Sequence, residues 1–124
     1  MDIKEIKKFL TNRIKYHQEE YNWRYNSSVR SSSLCRHMHI HEKLLDDLRF
    51  IYNCYTDKFY DDLKYTLNRL NESINYNKNK YDRFNKELDY YGYDSSTARD
   101  AIMHKQIYEE EIQYKECIEF LINE

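Results

Sequence analysis

The chain has 124 residues, the size of one ordinary domain, with a formal net charge of −2, 34% charged residues and 14 tyrosines. It has one glycine and no proline, the residues that most turns need, so the sequence predicts long helices with few turns. Its three cysteines, Cys35, Cys54 and Cys117, form no CxxC pair, which excludes a disulfide framework or a zinc ribbon. We expect one all-α domain over residues 1–124, with tyrosines supplying much of its core.

The cellular location follows from hydropathy and composition. The first ten residues, MDIKEIKKFL, lack the apolar segment of a secretion signal. No stretch approaches the roughly 20 apolar residues of a membrane span. Asn, Lys, Ile and Tyr are abundant whereas Ala, Val and Gly are rare, which is the bias of AT-rich coding. We therefore expect a cytoplasmic protein, without membrane contact, of a low-GC bacterium, its phages or mobile elements, or an AT-rich virus and its infected host cell.

The first predicted helix covers residues 2–25. Its apolar positions recur every three or four residues and form one stripe, which includes Ile6, Leu10, Ile14 and His17. His17 is expected to be a core or interface histidine because it lies on this stripe. The polar run of residues 26–33 interrupts the pattern and predicts a loop.

A second helix is predicted over residues 36–91, a very long central helix. Its apolar positions follow steps of three and four residues, as in a coiled coil, from Leu44 to Tyr91 without a glycine or proline. The Asn-rich run 75–79 is the one candidate for a break, because asparagine is a poor helix former, but a continuous helix, kinked at most at this run, is the prediction. The alternative to a continuous helix is one that folds back at this run and closes a compact monomeric bundle.

A third helix is predicted over residues 97–122. Gly92 suits the end of the preceding helix, and Thr97 with Asp100 resembles a capping box at the start of the third. Its apolar stripe is expected to include Ala101, Ile112 and other positions at helical spacing. Three helices, with the outer two lying antiparallel along opposite halves of the long one, give an elongated, coiled-coil-like set of helical hairpins. Such a thin rod buries little surface, so we expect a homodimer.

Three histidines at alternate positions, His37, His39 and His41, follow Cys35 in the segment SSSLCRHMHIHEKLLDDL. In a helix, His37 and His41 share a face, as pairs of metal ligands do, whereas His39 points nearly opposite. A zinc site needs three or four ligands, and the sequence HEKLL is not the HExxH of metalloproteases. We therefore expect a solvated helix start and no cofactor, with a metal at His37 and His41 as the alternative.

The segment RDAIMH, from Arg99 to His104, is the strongest candidate for catalysis. It resembles the motif of the HEPN superfamily of helical ribonucleases, in which an arginine is followed a few residues later by a histidine. The resemblance covers six residues and implies a metal-independent ribonuclease in which Arg99 holds a phosphate and His104 moves a proton. Two further Arg–His spacings, Arg30 to His37 and Arg36 to His41, match the same pattern.

The charge distribution suggests a further alternative. Residues 1–41 carry eight basic and four acidic side chains, and the last helix is acidic. The first helix has a basic strip that would contact phosphates in a weak nucleic-acid-binding protein, composed of Lys4, Lys7, Lys8, Arg13 and Lys15. A solvated face is the expected role of this strip.

Two aromatic clusters lie near predicted helix ends, and a single core cannot bury every ring in either. The first comprises Tyr21, Trp23 and Tyr25; the second comprises Tyr90, Tyr91 and Tyr93, flanked by Asp89 and Asp94. Exposed Tyr and Trp are the usual anchors of protein interfaces. The sequence shows no phosphate loop, nucleophile elbow or catalytic carboxylate pair. We therefore expect a non-enzymatic protein that binds a host or viral protein, such as a phage, viral or mobile-element accessory factor or an inhibitor of host defence.

Overall fold

A computed structural model describes residues 3–27, 31–56, 60–91 and 95–123, without the side chains of residues 32, 33, 60, 88–91, 95 and 96. These ranges contain four helices, α1 (Ile3–Tyr25), α2 (Ser32–Thr56), α3 (Tyr60–Tyr91) and α4 (Ser95–Ile122), and no strand. The predicted all-α class is confirmed. In the described part of the chain, no helix combines the length and the apolar character that crossing a membrane requires.

The helices alternate in direction and form an up-down-up-down bundle. The contacts that fix these directions are Phe9–Tyr114 and Arg13–Glu110 between α1 and α4, Arg36–Asp100 and Lys43–Glu111 between α2 and α4, and Ser73–Glu111 and Asn77–His104 between α3 and α4. Along these contacts, residue numbers in α2 and α4 increase in the same direction, so these two helices are parallel. In the α1–α4 and α3–α4 pairs they increase in opposite directions, so those helices are antiparallel. Helix α4 therefore contacts all three other helices.

The prediction of three helices with one central helix over 36–91 is wrong, because α2 and α3 divide this range. Helix α2 ends at Thr56, whose hydroxyl donates to the carbonyl oxygens of Tyr52 and Asn53 at 3.0 and 3.1 Å. Asn53 carries one of the last four carbonyls of the helix, which have no partner within it, so the second bond satisfies a terminal carbonyl. Helix α3 has Asp61 and Asp62 in its first turn, where negative charge is favourable. An apolar stripe continues across both helices because both face the same core.

The alternative of a fold-back at the Asn run is also wrong, since α3 passes through residues 75–79 as a helix, as the continuous-helix prediction had it for this run. Asn77 faces the core, with 3% of its surface exposed. Its amide Nδ2 donates to the Ser73 carbonyl at 2.8 Å, and its Oδ1 lies 2.7 Å from His104 Nδ1. A buried asparagine with both ends bonded stabilises the helix there.

Helix α4 also begins earlier than predicted, at Ser95, so Thr97 lies inside the helix and the predicted capping box is wrong. One position of its predicted apolar stripe is wrong as well. Ala101 is buried as expected, but Ile112 is 37% exposed and the adjacent Glu111 is fully buried. The isoleucine pattern therefore misplaced the buried residue in this turn by one position.

The core consists mainly of leucine and isoleucine from all four helices. Among the described residues, its large, fully buried aliphatic side chains are Ile6, Leu10, Leu44, Leu48, Ile51, Leu63, Ile107 and Ile118. Among the tyrosines whose side chains are described, Tyr114 is the one that is fully buried, so the expected tyrosine-rich core is wrong for that set. The other described rings lie at the edge of the core or in solvent.

The bundle closes within one chain, with four helices packed around one core. The physical reason for expecting a dimer was a two-helix rod too thin to bury its apolar stripe. That reason no longer applies, because α2 and α3 bury their stripes against α1 and α4. The homodimer stays a prediction, which light scattering tests.

Candidate functional site

An open cleft of about 500 Å³ lies where α1, α2 and α4 meet. Its polar lining includes Arg13, His17, Arg24, His37, His41 and Glu110, and its apolar lining includes Phe9, Ile40 and Leu44. The volume is typical of clefts that hold small ligands. Within it, charged and titratable groups from three helices converge.

The centre of the cleft is a chain of four bonded side chains, which we call the histidine relay: Arg13, Glu110, His17 and His41. Arg13 Nε donates to Glu110 Oε1 at 2.6 Å, and the same oxygen lies 2.8 Å from His17 Nε2. The Nδ1 atoms of His17 and His41 are 2.7 Å apart. The relay therefore runs from a guanidinium at the cleft wall to a buried imidazole pair.

Helical geometry brings these groups together. Arg13 and His17 are four residues apart on α1, so they share a face, and their helix lies antiparallel to α4, which carries Glu110. His41 lies on the buried face of α2, one turn from His37. Tyr16 shields the imidazole pair, with its ring edge-on to His17 at 5.0 Å and to His41 at 5.8 Å between ring centroids.

The relay sets the ionisation of its members. Burial raises the pKa of Glu110, but the bond to His17, the positive charges of His17 and Arg13 and the Tyr114 hydroxyl together hold its pKa below the usual range. Burial, and then the nearby His17, lower the pKa of His41 to about 4. Glu110 is therefore a carboxylate and His41 a neutral imidazole at neutral pH.

The ionised state of Glu110 fixes one hydrogen of the relay. An ionised carboxylate only accepts hydrogen bonds, so the 2.8 Å contact with Glu110 places a hydrogen on His17 Nε2. The contact of His17 Nε2 with Arg13 Nη2 is longer, at 3.3 Å, and Arg13 already donates to Glu110. At the 2.7 Å contact between the two Nδ1 atoms, one imidazole donates and the other accepts.

The predicted metal pair, His37 and His41, does lie on one side of α2, and both residues line the cleft. However, His41 Nδ1 is already bonded to His17. Among the side chains that the structure describes, no three from His, Cys, Asp or Glu are placed to hold one metal ion.

Chelation therefore tests the metal alternative. We expect EDTA to leave the melting temperature of the purified protein unchanged, and added zinc to raise it by less than about 2 °C, because a ligand stabilises a fold only when it binds the native state. Differential scanning fluorimetry measures both. A stoichiometric metal in the purified protein, lost with His37→Ala, would support the metal site.

The two residues of the predicted ribonuclease motif face different neighbours. Arg99 lines a cavity of about 160 Å³ beside Arg36 and His37 of α2. His104 contacts α3, where its Nδ1 lies 2.7 Å from Asn77 Oδ1 and its ring stacks on Phe84 at 5.8 Å. Burial lowers the pKa of His104. Arg99 thus lies toward α2 and His104 toward α3, and the ribonuclease stays a prediction.

The arginines of the other two Arg–His spacings, and Arg13 of the basic strip, do not form the predicted sites among the described residues. Arg30 lies outside the described residues, and Arg36 donates to Asp100 at 2.7 Å. In the basic strip of α1, the four lysines are exposed, whereas Arg13 turns into the cleft and pairs with Glu110. The strip thus loses one of its five expected phosphate contacts.

The first predicted aromatic cluster is a real surface feature at the C-terminal end of α1. Trp23 is 69% exposed and Tyr25 is 57% exposed, while Tyr21 is partly buried and stacks on Tyr25 at 5.9 Å. The guanidinium of Arg24 stands 5.2 Å from the centre of the Trp23 ring and also lines the cleft. This aromatic surface therefore borders the cleft.

The second predicted binding cluster lies outside the described side chains. The backbone of residues 89–91 belongs to α3, and residues 92–94 are not described. The proposed contacts of Tyr90, Tyr91, Tyr93, Asp89 and Asp94 stay a prediction.

A second polar cluster was missed in the sequence. Glu111 of α4 is fully buried beside Asp47 of α2, and Lys43 Nζ lies 3.7 Å from Glu111 Oε2 and 3.8 Å from Asp47 Oδ2. Ser73 of α3 donates to Glu111 Oε1 at 2.9 Å. Burial raises the pKa of Asp47, and it raises that of Glu111 to about 7. The helical spacing could have indicated that Glu111 is buried, because it falls four residues after Ile107 and three before Tyr114.

Comparison with protein-family models, curated proteins and solved structures found no match to this chain.

Proposed function

We propose that this protein acts by binding another protein through the aromatic surface formed by Tyr21, Trp23 and Tyr25. The observation that carries the proposal is the 69% exposure of Trp23, next to a tyrosine that is 57% exposed. Tryptophan and tyrosine are enriched at the energetic centres of protein interfaces because they bury a large apolar area with few rotatable bonds.

The aromatic surface is also partly ordered before binding. Tyr21 and Tyr25 stack on each other one turn apart, and Arg24 lies against the Trp23 ring while bonding to Glu20 Oε2 at 2.6 Å. Rings held in place lose less conformational entropy when a partner covers them. The expected partner presents an apolar pocket large enough for an indole ring.

The charges around the surface favour a protein over a nucleic acid. Glu19 and Glu20 lie one turn before Trp23, and their carboxylates would repel phosphates. The partner is a host or viral protein, consistent with the AT-rich coding bias of the sequence. In that setting, binding serves a phage, viral or mobile-element accessory factor, for instance one that inhibits a host defence enzyme.

A paired substitution experiment tests this surface. Tagged parent protein and the variant Trp23→Ala/Tyr25→Ala are incubated with lysate of an AT-rich bacterial host, and retained proteins are compared by mass spectrometry. The matched control is Tyr65→Ala/Tyr76→Ala on α3, whose rings are 62% and 58% exposed. We expect a partner that the parent and the control retain and the α1 variant loses.

Stability separates loss of binding from loss of fold. Because both replaced α1 rings are mostly exposed, their removal should change the melting temperature by no more than a few degrees. Equal retention of every protein by the two double variants, or a large fall in stability of the α1 variant, contradicts the proposal.

A further inference from the structure

A second cavity, which we call the arginine cavity, lies between α2 and α4 and has a volume of about 160 Å³. Its polar lining is Arg36, His37, Arg99 and Gln106, and its apolar lining is Ile40, Ile102 and Met103. It adjoins the larger cleft, because His37, Ile40 and Gln106 line both, but none of the four members of the histidine relay lines it. Protein binding through the aromatic surface leaves this cavity without a role.

The polar side of the arginine cavity carries one uncompensated positive charge. Arg36 Nε donates to Asp100 Oδ1 at 2.7 Å, so that guanidinium is balanced by a carboxylate and held in position across the two helices. Among the described side chains, no carboxylate forms an ion pair with Arg99. The imidazole of His37 carries an N–H donor whether it is neutral or charged.

The two helices add to this positive field. Helices α2 and α4 run parallel, and each begins four residues before its arginine, Arg36 in α2 and Arg99 in α4. Side chains of a helix tilt toward its N-terminal end, where the helix dipole is positive. The donors of the cavity therefore lie on the side of the bundle at which both dipoles favour an anion.

The other side of the arginine cavity is apolar. Ile102 lies three residues after Arg99, so it shares the side of α4 from which the arginine extends. It is 53% exposed, whereas Ile40 across the cavity is 6% exposed and Met103 is packed against the core. An apolar group in the cavity would cover Ile102 and remove its surface from water, which favours binding.

We propose that the arginine cavity binds a small organic carboxylate, with its two oxygens at Arg99 and its apolar group against Ile40, Ile102 and Met103. A planar guanidinium matches the two oxygens of a carboxylate. One uncompensated charge suits a monoanion, whereas the neighbouring Asp100 would repel the second charge of a phosphate. A cavity of about 150 Å³ holds one benzene ring, so the volume suits an anion about the size of benzoate.

Three ligands separate the two halves of the site. The parent protein is titrated at pH 7 with sodium benzoate, with benzyl alcohol and with inorganic phosphate, and backbone ¹H–¹⁵N shifts are followed by NMR. We expect benzoate to cause saturating shifts in the first turns of α2 and α4, with a dissociation constant of about 1 mM or lower. Benzyl alcohol lacks the charge and phosphate lacks the apolar group, so each should bind at least about tenfold more weakly.

Two substitutions assign the site to its residues. Arg99→Gln and Ile102→Ala replace exposed side chains, so both variants should fold as the parent does and bind benzoate at least about tenfold and about threefold more weakly, respectively. The matched control is Lys105→Gln, an exposed cation of α4 outside the cavity, which should bind benzoate as the parent does.

The proposal is overturned if benzoate causes no saturating shifts, if phosphate binds as tightly as benzoate, or if Arg99→Gln binds benzoate as the parent does. None of these results bears on partner binding, which the Trp23 variants test.

Discussion

At pH 8, the Glu111→Gln variant should unfold with a free energy about 2 kcal/mol larger than that of the parent, although the replaced side chain is fully buried. Neither Asp47 Oδ2 nor Glu111 Oε2 has a hydrogen-bond partner among the described groups, and burial raises the pKa of both carboxyls, so the pair favours holding a proton. Above pH 7 that proton is lost, and two negative charges face each other beside one lysine. A glutamine amide replaces the proton with an N–H donor at every pH.

The direction of the pH dependence follows from the pKa of Glu111. It is raised from 4.5 to about 7 on folding, so between these values the native state holds a proton that the unfolded state has released. The contribution of this group to stability is therefore complete below pH 4.5 and is lost as pH rises through 7. The full shift corresponds to about 3 kcal/mol, and sharing the proton with Asp47 reduces the expected effect to about 2 kcal/mol.

Urea unfolding of parent and variant at pH 5 and pH 8 measures this. The control is Glu116→Gln on the exposed face of α4, which should change stability by less than about 0.5 kcal/mol at both pH values. A Glu111→Gln variant that is less stable than the parent at pH 8 would mean that the carboxylate is ionised and satisfied by Lys43.

The second large effect concerns the core. Leu48→Ala should lower the free energy of unfolding by about 3 kcal/mol, because Leu48 is fully buried in the cluster to which all four helices contribute and its loss leaves a cavity. Phe50→Ala, two residues along the same helix at a site 41% exposed, is the control and should cost about 1 kcal/mol or less.

Denaturant unfolding with a constant m-value checks both variants. If Leu48→Ala and Phe50→Ala lower stability equally, the face of α2 that packs on the bundle is misassigned.

Local patterns were enough to predict part of this fold. The stripe of α1 correctly placed Ile6, Leu10 and His17 on the buried face. The stripe shared by α2 and α3 could not show where the chain reverses, because both helices continue the same spacing toward one core. The polar signals at that division, the bonded Thr56 and the acidic start of α3, are weaker than a glycine or proline.

The relay could not be predicted as a unit. The helical spacing of His17 predicted a core or interface position, and His41 was considered only together with His37. The bonded partner of His17 on α4, Glu110, lies 93 residues away in the sequence. Only the packing of α1 against α2 and α4 brings these groups together. The exposure of Trp23 was, by contrast, indicated by the sequence, since rings at alternate helix positions cannot all face one core.

The binding surface is tested most directly by isothermal titration calorimetry of the captured partner with the parent protein and with Trp23→Ala. If Trp23 is the anchor of the interface, the variant should bind at least about tenfold more weakly, a loss of about 1.4 kcal/mol or more, while Tyr65→Ala binds as the parent does. Equal dissociation constants for the parent and Trp23→Ala would contradict the proposed function.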